Sequence, residues 1–461
     1  FCLSRGLGDV YKRQVFVRTS RMVRKHRRRP GVNRNRKLRP SRRMIITPSK
    51  CPRCGGTDVA QLAKGDRHDV PRPRLKRALD LVITTGGMRR RVIEFRAAAY
   101  RCAGCGHAFV PEQYRRLAKH YHGLMSWAMY EHVAHEVSGG TLEEKFREFF
   151  GLAVANPELH MFKGLMARYY RVTYRRLLDK ILAGPVLHVD ETEVKLKTGR
   201  GYVWVFTSVE EVVFFYKPTR EGDLLRHILK GFRGVLVSDF YAAYDSVGCD
   251  QQKCLIHLIR DMNQELLNNP FDQELQLVTL PFSGLLKSVV ATVDNHGLKR
   301  QYLGRHQSEV DELFDLLAAR PVRSEAALAL RARLERNRDK LFTFIRHDGV
   351  PWNNNNAENA IKRFAYCREG TVGTMKEAGL NDYLLLLSLY QTCRYKGVSF
   401  LKFLLSRQRD IDAFCAKRRA ARRPDVELYP KGFVPPHLRK REAAGTSIQP
   451  PYNPAVDESA G

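Results

Sequence analysis

The alternation of apolar and polar positions divides the chain into strand-rich and helical stretches. Residues 271–350 have helical periodicity, and so do residues 114–136 and 141–178, the last of these interrupted by a turn-like segment around Gly151. Between these helical stretches lie four short β-rich runs separated by turn or helix signals: VLHV (186–189), YVWVFTS (202–208), VVFFY (212–216) and VLVS (235–238). We therefore predict a multidomain α/β protein with a mixed β-sheet that a helical segment interrupts.

The charge of the chain indicates its partner. Among 461 residues there are 80 Lys and Arg against 48 Asp and Glu, a formal net charge of +32. An excess of this size attracts a polyanion, so we expect double-stranded DNA or another nucleic acid as the partner. No stretch has the length and composition of a membrane span or a signal peptide, and we expect an intracellular protein with no membrane partner.

The N-terminal region has an unusual composition. The opening FCLSRGLGDVYKRQ has no initiator Met and resembles translated sequencing-adapter sequence, so we expect residues 1–14 to be an artefact. Residues 15–50 then contain fourteen Lys or Arg and no acidic residue, with too few large apolar side chains for a core. We predict a disordered basic arm that binds phosphate, with Arg27, Arg28 and Arg29 among its DNA-binding residues.

Two pairs of cysteines predict a structural zinc site. Cys51 and Cys54 form one Cys-x-x-Cys pair, Cys102 and Cys105 form the other, and a glycine follows the second cysteine of each. Four thiolates suit a closed tetrahedral zinc site, and the pattern is similar to the two knuckles of a zinc ribbon. The long separation of the pairs requires an inserted hairpin between them. His107 is an alternative ligand.

Three carboxylates are candidates for a catalytic metal site. Asp190 follows the apolar run 185–189, so we predict that it lies at or near the end of a buried strand; Asp239 follows the run 235–238 in the same way. Two acids that follow neighbouring strands come close together, and cations bound between them relieve their repulsion. Glu358 lies in the first turn of a predicted helix that begins at Asn355 or Asn356.

The amino-acid sequences of five segments, in order along the chain, resemble those of a known family. HVDET (188–192), SDFYAAYD (238–245), QKCLIHLIRD (252–261), NNNNAENAIKR (353–363) and SLYQTCRYKG (388–397) are similar to the insertion sequence 66 group of bacterial and archaeal DDE transposases, over roughly residues 111–406. The resemblance implies an RNase H-like catalytic domain in which Asp190, Asp239 and Glu358 hold two magnesium or manganese ions. It also implies cleavage and strand transfer at element ends, an oligomer assembled on DNA, and a cytoplasmic, nucleoid-associated location in a prokaryote.

Further residues have less specific signals. Cys254 and His257 have a metal-ligand spacing but no two further obvious ligands, so active-site support and ordinary packing both stay open; the same holds for Lys362 beside Glu358. Residues 137–178 resemble a helix-turn-helix. Its basic residues and Arg363 are the expected DNA contacts: Lys163, Arg168, Arg171, Arg175, Arg176 and Arg363.

These observations predict a division of the chain into eight parts. They are the artefact (1–14), the basic arm (15–50), the zinc-ribbon module (51–110), the helical DNA-binding segment (111–183), the first part of the catalytic domain (184–270), the helical insertion (271–350), the second part of the catalytic domain (351–406) and a basic, flexible tail (407–461). Two alternatives to a transposase stay open at this point. They are a non-catalytic zinc-dependent DNA-binding regulator and an RNase H-like nuclease that cuts without joining.

Overall fold

The computed structural model describes Asn35 and residues 38–63, 75–371 and 375–422. The expected artefact at residues 1–14, the arginines at 27–29 and the end of the predicted tail lie outside the described residues. Contacts divide the chain into two units, residues 1–409 and 410–461. The described part of the second unit contains one helix, which we call α15 (Ile411–Arg422).

The region between the two cysteine pairs forms a sheet. Its three strands are β1 (Arg42–Ile46), β3 (Lys76–Thr84) and β4 (Gly87–Ala97), in the order β1-β4-β3. Strands β3 and β4 pair antiparallel through the tight turn at Thr85 and Gly86, just before Gly87 begins β4, which confirms the predicted hairpin. Gly87 has a φ of +122°, a backbone conformation that residues with a Cβ atom rarely adopt.

One end of the predicted basic arm differs from the expectation of disorder. Residues 42–46 form β1, which pairs in parallel with β4. The free edge of β4 provides backbone partners for this segment, and its Ile45 and Ile46 favour an extended backbone. The β propensity of this segment and its pairing with the edge of β4 therefore order it, although it has few apolar side chains.

The cysteine pairs lie on a second, smaller sheet. Its strands are β2 (Val59–Gln61), β5 (Tyr100–Cys102) and β6 (Ala108–Phe109), joined antiparallel in the order β2-β5-β6. A small apolar cluster that includes Tyr100 and Phe109 packs beside the thiols.

Four helices then lead to the main sheet: α1 (Glu112–Arg115), α2 (His122–Ala134), α3 (Gly139–Phe150) and α4 (Asn156–Ala183). The break between α3 and α4 lies where the sequence predicts it, at Gly151, which ends α3 in the left-handed conformation. The 28-residue α4 buries a side along its whole length, from Leu159 to Ile181, and Tyr174 donates a hydrogen bond to the carbonyl of Phe214 in the main sheet. Helix α4 is thus anchored to the main sheet.

The main sheet has five strands: β7 (Val186–Leu196), β8 (Gly199–Thr207), β9 (Val212–Lys217), β10 (Val235–Ser238) and β11 (Gln251–Lys253). Their order is β11-β10-β7-β8-β9. The first three along the chain form an antiparallel meander, whereas β10 and β11 run parallel to β7. The four predicted strands are therefore confirmed, and β11 is an addition that its polar sequence QQK concealed. A short helix, α5 (Asp223–Ile228), precedes β10.

Helices cover this sheet. Helix α6 (Leu255–Asn268) follows β11, and α12 (Asn355–Thr371), α13 (Glu377–Tyr395) and α14 (Phe400–Ser406) follow the insertion. Helix α12 packs on β7 and β8, and α13 packs on β9 and α4. The fold is therefore mixed α/β, as predicted.

The predicted helical segment between Asp239 and Glu358 contains five helices: α7 (Gln273–His296), α8 (Arg300–Leu303), α9 (Gln307–Ala319), α10 (Glu325–Arg336) and α11 (Arg338–Leu341). Their apolar faces share one core with α6 and with Val186, Val235 and Val237 of the main sheet. By length and composition alone, α7 is the one helix among the described residues that would reach across a membrane. Its Phe282 and Val289 lie in this core.

The position of Asp190 corrects one prediction. Asp190 does not lie at the end of its strand, because β7 continues to Leu196. Only residues 186–188 of β7 pair with β10, and the strand then continues as a long hairpin with β8. Asp190 thus lies just beyond the parallel pairing, where the end of β10 leaves one edge of β7 without a strand neighbour.

Candidate active site and metal centres

The two aspartates lie at the same level of neighbouring strands. Val237 of β10 is opposite His188 of β7, and two residues beyond each of them the chain has an aspartate, Asp239 and Asp190. The Asp239 carboxylate accepts a hydrogen bond of 2.9 Å from the backbone N–H of Tyr241. This contact fixes Asp239 in the turn that follows β10.

Glu358 approaches the same position from a helix. It lies in the first turn of α12, and its N–H donates to the carbonyl of Asn354. Oε1 of Glu358 is shielded from solvent and has no hydrogen-bond partner among the described residues. A buried carboxylate oxygen without a hydrogen bond destabilises the folded protein unless a cation or a hydrogen-bond donor binds it.

Asn354, immediately before α12, joins this helix to the strand of Asp190. Its side-chain amide donates to the carbonyl of Val189 at 2.8 Å, and its Oδ1 lies 3.1 Å from Nδ1 of His188. The helix begins at Asn355, as predicted, but the side chain of Asn354 binds the sheet instead of capping the helix. Sequence reasoning missed this residue, and the run of four asparagines gave no signal to separate it from its neighbours.

The electrostatics of the three acids suit cations. Burial, and after it the negative charges of Glu191, Asp239 and Glu358, together raise the pKa of Asp190 to about 7. The charges of Asp239 and Glu358 oppose the ionisation of Asp190, and a divalent ion beside it would remove this penalty. All the donor atoms are oxygens, which magnesium and manganese prefer.

Glu191 is more closely involved in the site than the alternation of the strand suggests. Its side chain is 2% exposed, forms an ion pair with Arg220 at 2.8 Å from Nε, and accepts a hydrogen bond from the hydroxyl of Tyr244. Burial raises the pKa of Glu191, and the bonds from Tyr244 and Arg220 oppose this rise. Tyr244 is itself fully buried. Glu191 is therefore fixed by partners, and its charge acts on Asp190.

Arg220 also holds the turn after β10. Its guanidinium lies 3.8 Å from the ring centre of Tyr241, whose hydroxyl donates to the backbone carbonyl of Arg220 at 2.8 Å. Tyr241 in turn donates its N–H to Asp239. A chain of contacts therefore joins Glu191 to Asp239, and the sequence gave no signal for the role of Arg220, which lies in a loop.

Cys254 and His257 lie against Glu358. Cys254 immediately precedes α6 and is fully buried, and its sulfur accepts the N–H of Asn354 at 3.2 Å. Nδ1 of His257 is 3.6 Å from Oε1 of Glu358. The neighbouring Cys254 raises the pKa of His257, as does the charge of Glu358.

The basic residues expected to contact DNA have different environments. Arg168, Arg171 and Arg175 are exposed on α4, and Lys362 is exposed on α12. Arg363 instead donates to the carbonyl of Ala134 and to the hydroxyl of Tyr390. Lys163, another basic residue of the predicted DNA-binding helix, is buried at 4% exposure, so its amine is not available to DNA.

The four cysteines of the predicted zinc site converge. Their sulfur atoms all lie within 4.8 Å of one another, with Cys51 and Cys105 at 3.7 Å and Cys54 and Cys102 at 3.6 Å. These separations are too long for disulfides and suit four ligands around one ion. His107 instead stacks on Phe109, with ring centres 5.8 Å apart.

A known protein family and two bacterial proteins are similar to parts of this chain. The family model described as "Transposase IS66 family" matches residues 120–382. An uncharacterized protein of Sinorhizobium fredii, y4qI, is 22% identical over 296 residues, which are 55% of this chain and 53% of that protein. A second uncharacterized protein of the same organism, y4jO, is 33% identical over 75 residues, 16% of this chain and 23% of that protein. The chain thus spans about half or less of each of these relatives.

Proposed function

Because the chain belongs to the IS66 family of transposases, we propose that it cuts DNA at the ends of a mobile element and joins those ends to target DNA. The three acids Asp190, Asp239 and Glu358 are the proposed catalytic residues. The observation that carries this assignment is their placement: the two aspartates follow paired positions on neighbouring strands, and Glu358 comes from a helix packed on the strand of Asp190. The charges of Asp239 and Glu358 also act on Asp190. The pKa of about 7 for Asp190 adds support, since it reflects burial first and then the negative charges of Glu191, Asp239 and Glu358.

The catalytic domain is, in this proposal, RNase H-like. A meander of three antiparallel strands, followed by two strands parallel to the first, supports this assignment. The catalytic domain would consist of residues 184–270 and 351–406, with the helical insertion at 271–350. Residues 51–110 would form the zinc-ribbon module and residues 111–183 the DNA-binding segment.

The residues present fit two magnesium or manganese ions. When bound, such ions activate the attacking oxygen and stabilise the leaving oxygen of a phosphodiester. Asp190 would lose its proton as the site fills, because bound cations would offset the burial and the negative charges that raise its pKa. Tyr241 would hold Asp239 through its backbone N–H, and Asn354 would hold the helix of Glu358 against β7. The same three acids would serve attack by water and then attack by the released 3′-hydroxyl.

The four cysteines would hold one structural zinc ion. A site with four thiolates has no open position for a substrate, so its part would be to fold the module. The observation that supports it is the convergence of the four sulfur atoms.

The proposed partner is double-stranded DNA, both the element ends and the target. The net charge of +32 and the exposed arginines at positions 168, 171 and 175 support it. Arg363 would act through packing in this proposal, because its guanidinium already has protein partners. We further propose that the protein assembles as a homo-oligomer on DNA and works in the cytoplasm, at the nucleoid of a prokaryote.

The test measures cleavage, joining and DNA binding on the same labelled duplex, taken from the DNA that flanks the gene. We expect Asp190→Ala, Asp239→Ala and Glu358→Ala each to abolish magnesium-dependent cleavage and strand transfer, with the mobility shift at fixed salt nearly unchanged. Glu193→Ala is the matched control, because Glu193 lies on the same strand with a side chain that is 46% exposed. Full activity of the Glu358 variant would refute the assignment. Cleavage without joining would support the nuclease alternative, and binding without cleavage by the unchanged protein would support the regulator.

A further inference from the structure

Three ligand atoms of different chemistry meet beside the proposed active site. The sulfur of Cys254, a ring nitrogen of His257 and a carboxylate oxygen of Glu358 all lie within 4.8 Å of one another. The first two residues lie at the start of α6, and the third lies in the first turn of α12. The structure thus provides a third ligand for the Cys-x-x-His pair, about a hundred positions further along the chain.

We propose that Cys254, His257 and Glu358 form a regulatory zinc site, distinct from the four-cysteine site. Zinc bound there would take an oxygen of Glu358 away from the catalytic ions and so inhibit cleavage. The inhibitory part rests on the proposed function, in which Glu358 is a catalytic ligand; the binding part does not.

Two orphaned polar atoms support an ion at this place. Nδ1 of His257 and Oε1 of Glu358 face each other at 3.6 Å, both shielded from solvent. Neither has a hydrogen-bond partner among the residues that the structure describes. An unsatisfied buried polar atom destabilises the folded protein, and a cation bound to both atoms would satisfy them together.

The sulfur of Cys254 is held in place as a ligand. It accepts the backbone N–H of Asn354 at 3.2 Å, and it lies at the N-terminus of the 14-residue helix α6. This hydrogen bond fixes the sulfur within 4.8 Å of the other two ligand atoms. Because Cys254 is fully buried, an ion would enter past the side chains of His257 and Glu358, which are 30% and 20% exposed.

The donor set selects the metal. One thiolate, one imidazole and one carboxylate suit zinc, whereas magnesium prefers oxygen alone. Three protein ligands also leave the fourth position of a zinc tetrahedron open, unlike the closed four-cysteine site. The site therefore has the character of an exchangeable ion site.

The binding test uses the full chain with its four-cysteine site already filled with zinc. Cobalt(II) is then titrated as a probe, because a thiolate ligand gives it a characteristic charge-transfer absorption. We expect one additional equivalent of cobalt in the unchanged protein, in Asp239→Ala and in the control Cys249→Ser. We expect Cys254→Ser and His257→Ala to lose that equivalent, while elemental analysis shows the original zinc content unchanged.

The inhibition test compares cleavage in magnesium with and without added zinc. We expect zinc to slow the unchanged protein by about tenfold or more, and to slow His257→Ala much less relative to its own zinc-free rate. If the unchanged protein binds no additional cobalt, or if both variants keep it, the inference is wrong while the proposed function stands. If cobalt binds as expected but Asp239→Ala still cleaves DNA, the metal site stands and the proposed function fails.

Discussion

Asn354 donates a 2.8 Å hydrogen bond to the carbonyl of Val189, the residue immediately before Asp190. The same asparagine lies four residues before Glu358 and accepts the N–H of Glu358 on its own carbonyl. One side chain therefore fixes the distance between two of the three proposed metal ligands. Asn354 and His188, whose imidazole contacts the side-chain oxygen of Asn354, are both buried. The contact between helix α12 and strand β7 is therefore shielded from water.

We predict that Asn354→Ala reduces magnesium-dependent cleavage far more than it reduces DNA binding. The variant removes the donor to Val189 and leaves His188 without its side-chain partner, at a cost of about 1–3 kcal/mol in the free energy of unfolding. Thermal unfolding and cleavage rates of the same preparation check both effects. Asn355→Ala is the control, because Asn355 is exposed and should tolerate the change. Equal cleavage by both variants would contradict the positioning role.

The pKa of Asp190 predicts a pH-dependent stability of the metal-free protein. Its folded-state pKa of about 7 lies above the value of about 3.9 for a free aspartate, so the folded protein binds more protons between these values. The contribution of Asp190 to stability is complete below about pH 4 and is lost as the pH rises through about 7.

In the absence of divalent ions, we therefore expect Asp190→Asn to be more stable than the unchanged protein at pH 8. The difference should be on the order of 2 kcal/mol after allowance for screening by solvent, and it should shrink towards pH 5. Magnesium should raise the melting temperature of the unchanged protein more at pH 8 than at pH 6, and the variant less. Chemical unfolding across this pH range provides the measurement, and a pH-independent difference would contradict the raised pKa.

Glu191→Ala is predicted to lower both stability and cleavage. The substitution leaves the guanidinium of Arg220 without its ion pair and the buried hydroxyl of Tyr244 without its acceptor. We expect a loss of about 1–3 kcal/mol in the free energy of unfolding. Glu193→Ala, on the same strand, removes only an exposed pair with Arg200 and should change stability by less than about 1 kcal/mol. Similar melting temperatures for the two variants would show that the buried pair contributes little.

Removal of the four-cysteine ion should unfold the module around it. We expect Cys54→Ser to lower the zinc content of the purified protein by about one ion per chain and to expose residues 51–63 to protease. Cys249→Ser, a cysteine of the main-sheet region, should leave the zinc content unchanged. A normal zinc content in Cys54→Ser would mean that the four sulfur atoms do not share an ion.

The chain order of the elements was predictable because local patterns determine it. The apolar runs at 186–189 and 235–238 are β-rich and short, and the structure has strands at both. What could not be predicted were contacts made across the chain. Strand β11 has the polar sequence QQK and is held by its neighbours, as where Gln252 donates to the carbonyl of Leu341.

The candidate site follows the same division. The three acids could be selected from their positions in motifs and beside strands, whereas the buried partners of Glu191 could not, because Arg220 and Tyr244 lie 29 and 53 positions away. The sequence also did not predict that β7 continues beyond Asp190. Charged side chains recur along residues 191–196, and this segment is a strand because it pairs with β8. Pairing with other segments of the chain therefore decided the strand length and the contacts that local propensity could not predict.

The distance in sequence between Asp239 and Glu358, 119 positions that include β11 and the helices α6–α11, has a consequence for protein synthesis. A ribosome delivers the two aspartates early and the glutamate only after this whole segment has been translated. A nascent chain, or one truncated by a premature stop inside the insertion, therefore has helix α4 and the five strands of the main sheet but lacks Glu358. Under the proposed function, such a product could occupy DNA without cutting it, so the order of translation itself delays cleavage until the insertion and Glu358 have been translated.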